Sequence, residues 1–224
     1  MRVLAVSVAL ILAASVFVEA QRRHPVSGRV LAPVMGVGGA SWLERPERED
    51  EEAPSRAIDL LNLKPGMVVA DIGAGSGYYA SRIARRVGPS GRVLATDIQP
   101  GMIALLERRI ASERLTNMTT VLGSPDDPKL PANSIDLAIM VDVYHELQDP
   151  QAFLQRLKPA FKPGGRLALL EFRKEDPKIP ILEVHKMSVA EVKQEMEAEG
   201  YAIDRVIEGL PWQHLILIKV ADAK

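Results

Sequence analysis

The sequence predicts an α/β fold: a Rossmann-like, doubly wound, mostly parallel sheet ending in an antiparallel β-hairpin edge. Three observations carry that expectation. Apolar strands alternate with amphipathic helices from residue 53 onward, and a glycine-rich turn, "DIGAGSGYYA", follows the first strand. The last two strands are joined by a connection too short to hold a crossover helix, so they must run antiparallel.

The elements follow in order. Residues 1–20 stand apart, with a basic start at Arg2, an apolar run from Val3 to Val18, and Val18-Glu19-Ala20 placing small residues before Gln21. That is the layout of a cleaved secretory signal peptide. The alternative is an uncleaved anchor, for which sixteen apolar residues fall short of the ~20 that span a bilayer. The protein is accordingly expected outside the cytoplasm, periplasmic or secreted, with membrane anchorage as the other outcome. Residues 21–52 read as an N-terminal extension. Its "MGVGGA" has no strand before it and is expected to be a flexible turn. The charge run "WLERPEREDEE" is either a solvated helix face or a lid that brings Trp42, Arg45 and Arg48 over a ligand.

A single α/β domain is expected over residues 53–224. "PSRAIDLLNLKPG" is a short helix closed by a Lys-Pro-Gly turn, and "MVVADIG" a strand apolar on both faces, as a covered parallel sheet requires. "YYASRIARRVG" and "PGMIALLERRIASERL" are helices flanking the strand "RVLATDI". "MTTVLG", "SIDLAIMVD" and "RLALLEF" supply three more strands, with the helix "DPQAFLQRLKPAF" between the last two. Ser188 and Glu191 form a capping box that opens a helix stopped at Gly200, and "YAIDRVIEG" and "HLILIKVA" make the terminal hairpin.

Composition narrows the chemistry. A net charge of -1 over 224 residues gives no basic footprint for nucleic acid. The absence of cysteine excludes disulfides, thiol nucleophiles and cysteine-based zinc sites. The four histidines, His24, His145, His185 and His214, form no short metal-ligand motif, and no metal is expected. The glycine turn is the strongest signal. In a doubly wound sheet, ligands bind beyond the carboxyl ends of the strands at the switch point. Gly73 and Gly75 permit a tight turn and close backbone approach there, and the amides from Ser76 onward face the ligand. Asp97 ends the second strand, placed to accept both hydroxyls of a ribose. Asp126 and Asp127 follow the third, where they meet an adenine amino group.

The segments "VVADIGAGSGYYA", "VLATDIQPGMIALLE", "LPANSIDLAIMVDVYHELQDP" and "LKPGGRLALLEF" resemble, in order, the motifs of class I S-adenosylmethionine-dependent methyltransferases. The resemblance runs from about Ala53 to the carboxyl end. It implies S-adenosyl-L-methionine as cofactor. Asp71 would anchor the glycine loop and the cofactor's amino end, with Gly73, Ala74 and Gly75 beneath the methionine moiety. Asp97 would hold the ribose, Ile98 would lie against adenine, and Asp126 or Asp127 would read its amino group. Ser124 stands where many members carry an acidic residue, so the choice between the two aspartates stays open.

"VDVYHEL" replaces the tetrapeptide of base and glutamine methylators, and "VYHELQDP" is similar to a segment of the small-molecule enzymes. The expected partner is therefore a small methyl acceptor. His145 is the candidate base or a structural histidine, Tyr144 is the other candidate catalytic residue, and Tyr144 or Asp142 forms a pocket wall. His185 and Trp212 are weaker pocket candidates. Rival functions are a non-catalytic adenosylmethionine-binding protein and a nicotinamide oxidoreductase, the latter disfavoured by the glycine spacing and the hairpin.

Overall fold

The computed structural model describes residues 22–221. The signal-peptide expectation therefore lies outside the described residues. Among those described, no helix is long and apolar enough to cross a membrane.

The sheet carries the expected architecture. In chain order its strands are β1 Val68–Ile72, β2 Arg92–Asp97, β3 Met118–Leu122, β4 Ile135–Val141, β5 Phe161–Arg173, β6 Lys186–Met187, β7 Tyr201–Ile207 and β8 Gln213–Val220. Their spatial order is β3-β2-β1-β4-β5-β8-β7, with the two-residue β6 beside β5. Pairings from β3 through β5 are parallel, and β8 pairs antiparallel with both β5 and β7. The short β6 has no counterpart in the sequence reading.

Alternate residues of β1 and β4 enter two separate cores, which is why these strands read as continuous apolar runs. On one face Val69, Leu137 and Ile139 pack with helices α2 Pro54–Leu60, α3 Tyr78–Val87 and α4 Pro100–Glu113. On the other, Ala70, Ala138 and Met140 pack with α5 Pro150–Leu157 and α6 Val189–Ala198. Helix α5 begins at a proline, is capped by Asp149, and buries Phe153, Leu154 and Leu157 on one stripe. Each such side chain contributes about 1.5–3 kcal/mol. The capping box at α6 is complete: Ser188 Oγ accepts from the Glu191 amide, and the Glu191 carboxylate accepts from Ser188 N. Helices change face between β1 and β4, so the crevice opens at Gly73 and Asp142.

The extension differs from its expectation. Instead of a flexible turn at "MGVGGA", a 3-10 helix spans Val37–Glu44, followed by α1 Arg48–Glu52. Nor is the charge run only a solvated face, because Arg48 and Glu52 are buried and paired at 2.7 Å. Earlier in the segment, buried Arg29 clasps the Glu195 carboxylate of α6 through Nε (2.8 Å) and Nη2 (3.1 Å), and its Nη1 donates to the carbonyl of His145 (3.0 Å). A guanidinium taken out of water needs such a fork of acceptors.

Candidate active site

A cavity of about 530 Å³ lies over the carboxyl ends of β1, β2 and β4. That is the size of a site for one cofactor and a small ligand.

The floor follows from the glycine turn. Gly73 and Gly75 take φ of 66° and 56°, the left-handed region that glycine enters without penalty. A Cβ on Gly73 would lie 2.7 Å from Val143, and one on Gly75 2.7 Å from Leu43 of the extension. Ala74 is buried, its amide held by the Thr96 carbonyl at 2.9 Å, and it braces the turn without lining the cavity. Asp97 lines the cavity and knits two loops together. Its Oδ2 accepts from Gly75 N (3.1 Å) and its Oδ1 from Gln99 N (2.9 Å). Burial raises its pKa, with the Gln99 and Gly75 amides pulling it back. Ile98, partly exposed, lies in the wall beside it.

Asp71 sits behind the turn rather than in the cavity wall. Full burial pushes its pKa up to about 7 against the Ala80 amide and the charge of Arg48, and its Oδ2 has no partner among the described residues. Asp142, in contrast, lines the cavity. Its backbone is left-handed at φ 54°, an uncommon state for a non-glycine residue and one that collects at functional sites. Gln213 donates to its Oδ2 at 2.8 Å while Oδ1 is unpartnered among the described residues. Burial, then Glu52 and Glu171, push its pKa well above the carboxylate range.

Two expectations need correction at the adenine end. Asp126 does not face the cavity: its carboxylate pairs with Arg156 and accepts from Ser124 Oγ. Asp127 turns back on its own loop to accept from Lys129 N at 2.7 Å. The lengthened "SPDDPK" loop instead presents Ser124, Pro125 and Pro128 to the cavity.

Tyr144 is also corrected. It is fully buried in the core of the α5–α6 face and forms no part of the cavity wall. The two residues that follow Tyr144 behave differently. His145 and Glu146 lie on a 3-10 turn, Tyr144–Glu146, rather than at the start of a helix, since α5 begins only at Pro150. His145 reaches the cavity with Nδ1 2.6 Å from Oε2 of Glu171 and Nε2 3.0 Å from Nδ1 of His185. Glu171 is wholly buried in β5, and its other oxygen accepts from Tyr144 N at 2.9 Å. His185 thus belongs to the wall, whereas Trp212 packs against Phe172 outside it. Burial lowers the His185 pKa, with His145 adding to it, and burial raises Glu146 to about 7.

Glu171 and Glu146 were not singled out in the sequence. A usable signal existed for Glu171, the lone acid in the apolar strand "RLALLEF".

The extension roofs the cavity with Val34, Met35, Trp42 and Leu43. Only Trp42 of the three expected lid residues faces the cavity. Arg45 stacks on the Trp42 ring at 3.6 Å and pairs with Glu51 and Glu52, while Arg48 lies over the Tyr78 ring at 4.5 Å.

Comparison with known proteins agrees with this geometry. The profile of the family described as methyltransferase domain matches residues 63–218. A ubiquinone/menaquinone biosynthesis C-methyltransferase of Hydrogenovibrio crunogenus is 31% identical over 119 residues, 53% of this chain and 47% of that protein. Nocamycin O-methyltransferase of Saccharothrix syringae is 32% identical over 114 residues, 51% of this chain and 41% of that one. The matched stretch thus spans about half the length of these curated relatives. Among solved structures, a SAM dependent methyltransferase from Aquifex aeolicus superposes with a TM-score of 0.79 at 27% identity, covering 84% of this chain and all of its own.

Proposed function

We propose that this chain, which belongs to the methyltransferase-domain family, binds S-adenosylmethionine and transfers its methyl group to a small, largely apolar acceptor. The observation that carries this reading is the placement of two unlike sets of groups around one cavity. The glycine turn and Asp97 offer backbone amides and a carboxylate to a nucleoside and amino-acid ligand. The unpartnered Oδ1 of Asp142 is suited to the cofactor's ammonium, and Asp71 supports the turn from behind. Ile98 lies where an adenine face can rest. Opposite, Phe153, Phe172, Ile181 and Leu182 form an apolar wall that ends at His145 and His185.

Methyl transfer from a sulfonium is a displacement, for which alignment and exclusion of water supply most of the rate. The acceptor's polar atom meets His145 at the cavity wall, where buried Glu171 holds its Nδ1 and its Nε2 lies beside His185. In that orientation the imidazole takes the proton that an acidic acceptor loses. The relatives' names, a ubiquinone/menaquinone biosynthesis C-methyltransferase and nocamycin O-methyltransferase, support a small-molecule acceptor methylated at carbon or oxygen. The export expectation for residues 1–20 stays part of this reading.

The test is turnover by His145→Ala on a panel of phenols, quinols, amines and thiols. A loss of roughly 10²–10⁴-fold with S-adenosylhomocysteine affinity unchanged is expected. A fully active variant removes His145 from the chemistry. A parent protein that binds the cofactor and methylates nothing in the panel favours the non-catalytic reading.

A further inference from the structure

Two histidines forty residues apart in sequence meet nitrogen to nitrogen at the acceptor end of the cavity. His145 Nε2 and His185 Nδ1 are 3.0 Å apart, their rings perpendicular (85°) with centroids 5.1 Å apart. Glu146 Oε1 lies 4.0 Å from the same His185 nitrogen, and the three donor atoms all fall within 4.8 Å of one another. Two ligand atoms on one tetrahedral zinc ion, each bonded at about 2.0–2.1 Å, sit about 3.3 Å apart. The pair of imidazoles is close to that spacing, and the Glu146 carboxylate, 4.0 Å from His185 Nδ1, lies slightly beyond it.

Three further features fit a cation. His145 Nδ1 is 2.6 Å from Glu171, a contact to a carboxylate that places the ring proton on Nδ1 and leaves Nε2 unprotonated, its lone pair now met only by His185 Nδ1. A buried carboxylate behind a histidine is the usual support of a metal-bound imidazole, fixing its tautomer and direction. Glu146 is mostly buried, yet among the described residues no lysine or arginine pairs with it, and its Oε2 accepts only the Met35 amide at 3.3 Å. Its surroundings thus offer two imidazoles and no fixed positive charge. Finally, all three residues line the cavity, so a ligand from that side can complete the coordination. The remaining histidines are built otherwise: both His214 nitrogens are engaged by Glu208 and Glu175, and His24 packs against Glu195 and the amides of its own turn.

We propose that His145 Nε2, His185 Nδ1 and Glu146 Oε1 form a binding site for one divalent cation of the zinc class, with its open position facing the acceptor. Two imidazoles and one carboxylate with a free position is a donor set of catalytic zinc sites. In this chain the ion would hold an enol or phenol oxygen and favour its deprotonated form, the proton passing to water. His145 then acts as ligand, where in the empty site it acts as base. Cation binding itself does not depend on methyl transfer; only this use of the cation rests on the reading above.

The experiment is calorimetry of untagged protein, stripped with chelator, titrated with ZnCl2 and separately with S-adenosylhomocysteine. One Zn2+ per chain is expected, weakened 100-fold or more in His185→Ala and unchanged in His214→Gln, which removes a histidine outside the site. Co2+ bound to the parent should show the intense visible bands of a tetrahedral nitrogen–oxygen site and lose them in Glu146→Gln, an isosteric change that keeps the turn. No stoichiometric Zn2+, or equal affinity in parent, His185→Ala and Glu146→Gln, overturns the site. Failure of the parent to bind S-adenosylhomocysteine while Zn2+ binds overturns the cofactor reading instead and leaves the cation site standing.

Discussion

Replacing Asp97 by asparagine tests the cofactor end of the cavity with almost no change of shape. The parent carboxylate accepts from Gly75 N at 3.1 Å and from Gln99 N at 2.9 Å, one on each oxygen. Asparagine keeps one accepting oxygen and turns an NH2 group toward the other amide, donor against donor. One hydrogen bond to a charged acceptor, a net 1.5–3 kcal/mol, is lost outright, and the ribose loses an acceptor at the same atom. A loss of about 2–3 kcal/mol in binding corresponds to a Kd for S-adenosylhomocysteine about 30–150-fold higher. Asp97→Ala removes both contacts and should weaken binding by about 10³-fold or more. Calorimetry measures both. Asp126→Asn is the control, since its carboxylate is held by Arg156 outside the cavity and its replacement should leave Kd unchanged. An Asp97→Asn protein that binds within threefold of the parent would refute the assignment of the ribose to this residue.

Asp71, with its pKa raised to about 7 by burial, should make folding weaken with pH. Between roughly pH 4 and 7 the unfolded chain releases this proton while the folded protein keeps it, so the slope is negative, about 1.4 kcal/mol per pH unit. Above about pH 7 both states are ionised and the effect levels off. Urea melts of the parent against Asp71→Asn should therefore drift in favour of the variant across that window and run parallel above it. Parallel curves throughout would mean Asp71 is ionised in the fold. Trp42→Ala removes roof from the cavity and should speed cofactor release about tenfold in stopped-flow measurements, with the association rate little changed. An unchanged off-rate would make the roof passive. Mass spectrometry of the native protein should find a mature chain beginning at Gln21; an intact Met1 in the membrane fraction would support anchorage instead.

Most of the architecture was legible because it rests on local rules. Alternating apolar strands and helices, the capping box at Ser188, and the "LPWQ" connection between β7 and β8 each act within a dozen residues. The positive-φ glycines were equally readable, since only a tight turn calls for three glycines two apart behind a strand. What escaped was whatever depends on facing. Tyr144 and His145 are neighbours, and sequence cannot say which one an irregular turn sends into the core. Asp126 and Asp127 carry the right chemistry at the right strand end, but Arg156 on α5 and the Lys129 amide draw them away. The meeting of His145 with His185 is a long-range contact with no local trace. The same holds for the extension, whose glycines and charges suggest solvent until Leu43 is seen against Gly75.

Arg29 gives the molecule an order of assembly. Its guanidinium reaches a carbonyl 116 residues downstream and a carboxylate 166 residues downstream, so it has nothing to hold until nearly the whole chain exists. Arg29 can take up its full set of partners only after α6 has formed. Contacts of such long sequence separation form slowly, because the loop between them must close first. If the chain is threaded across a membrane from its amino end, Arg29 emerges well before the carboxylate and carbonyl that hold it. On that route the Arg29 contact to the His145 carbonyl would form only after both partners had crossed.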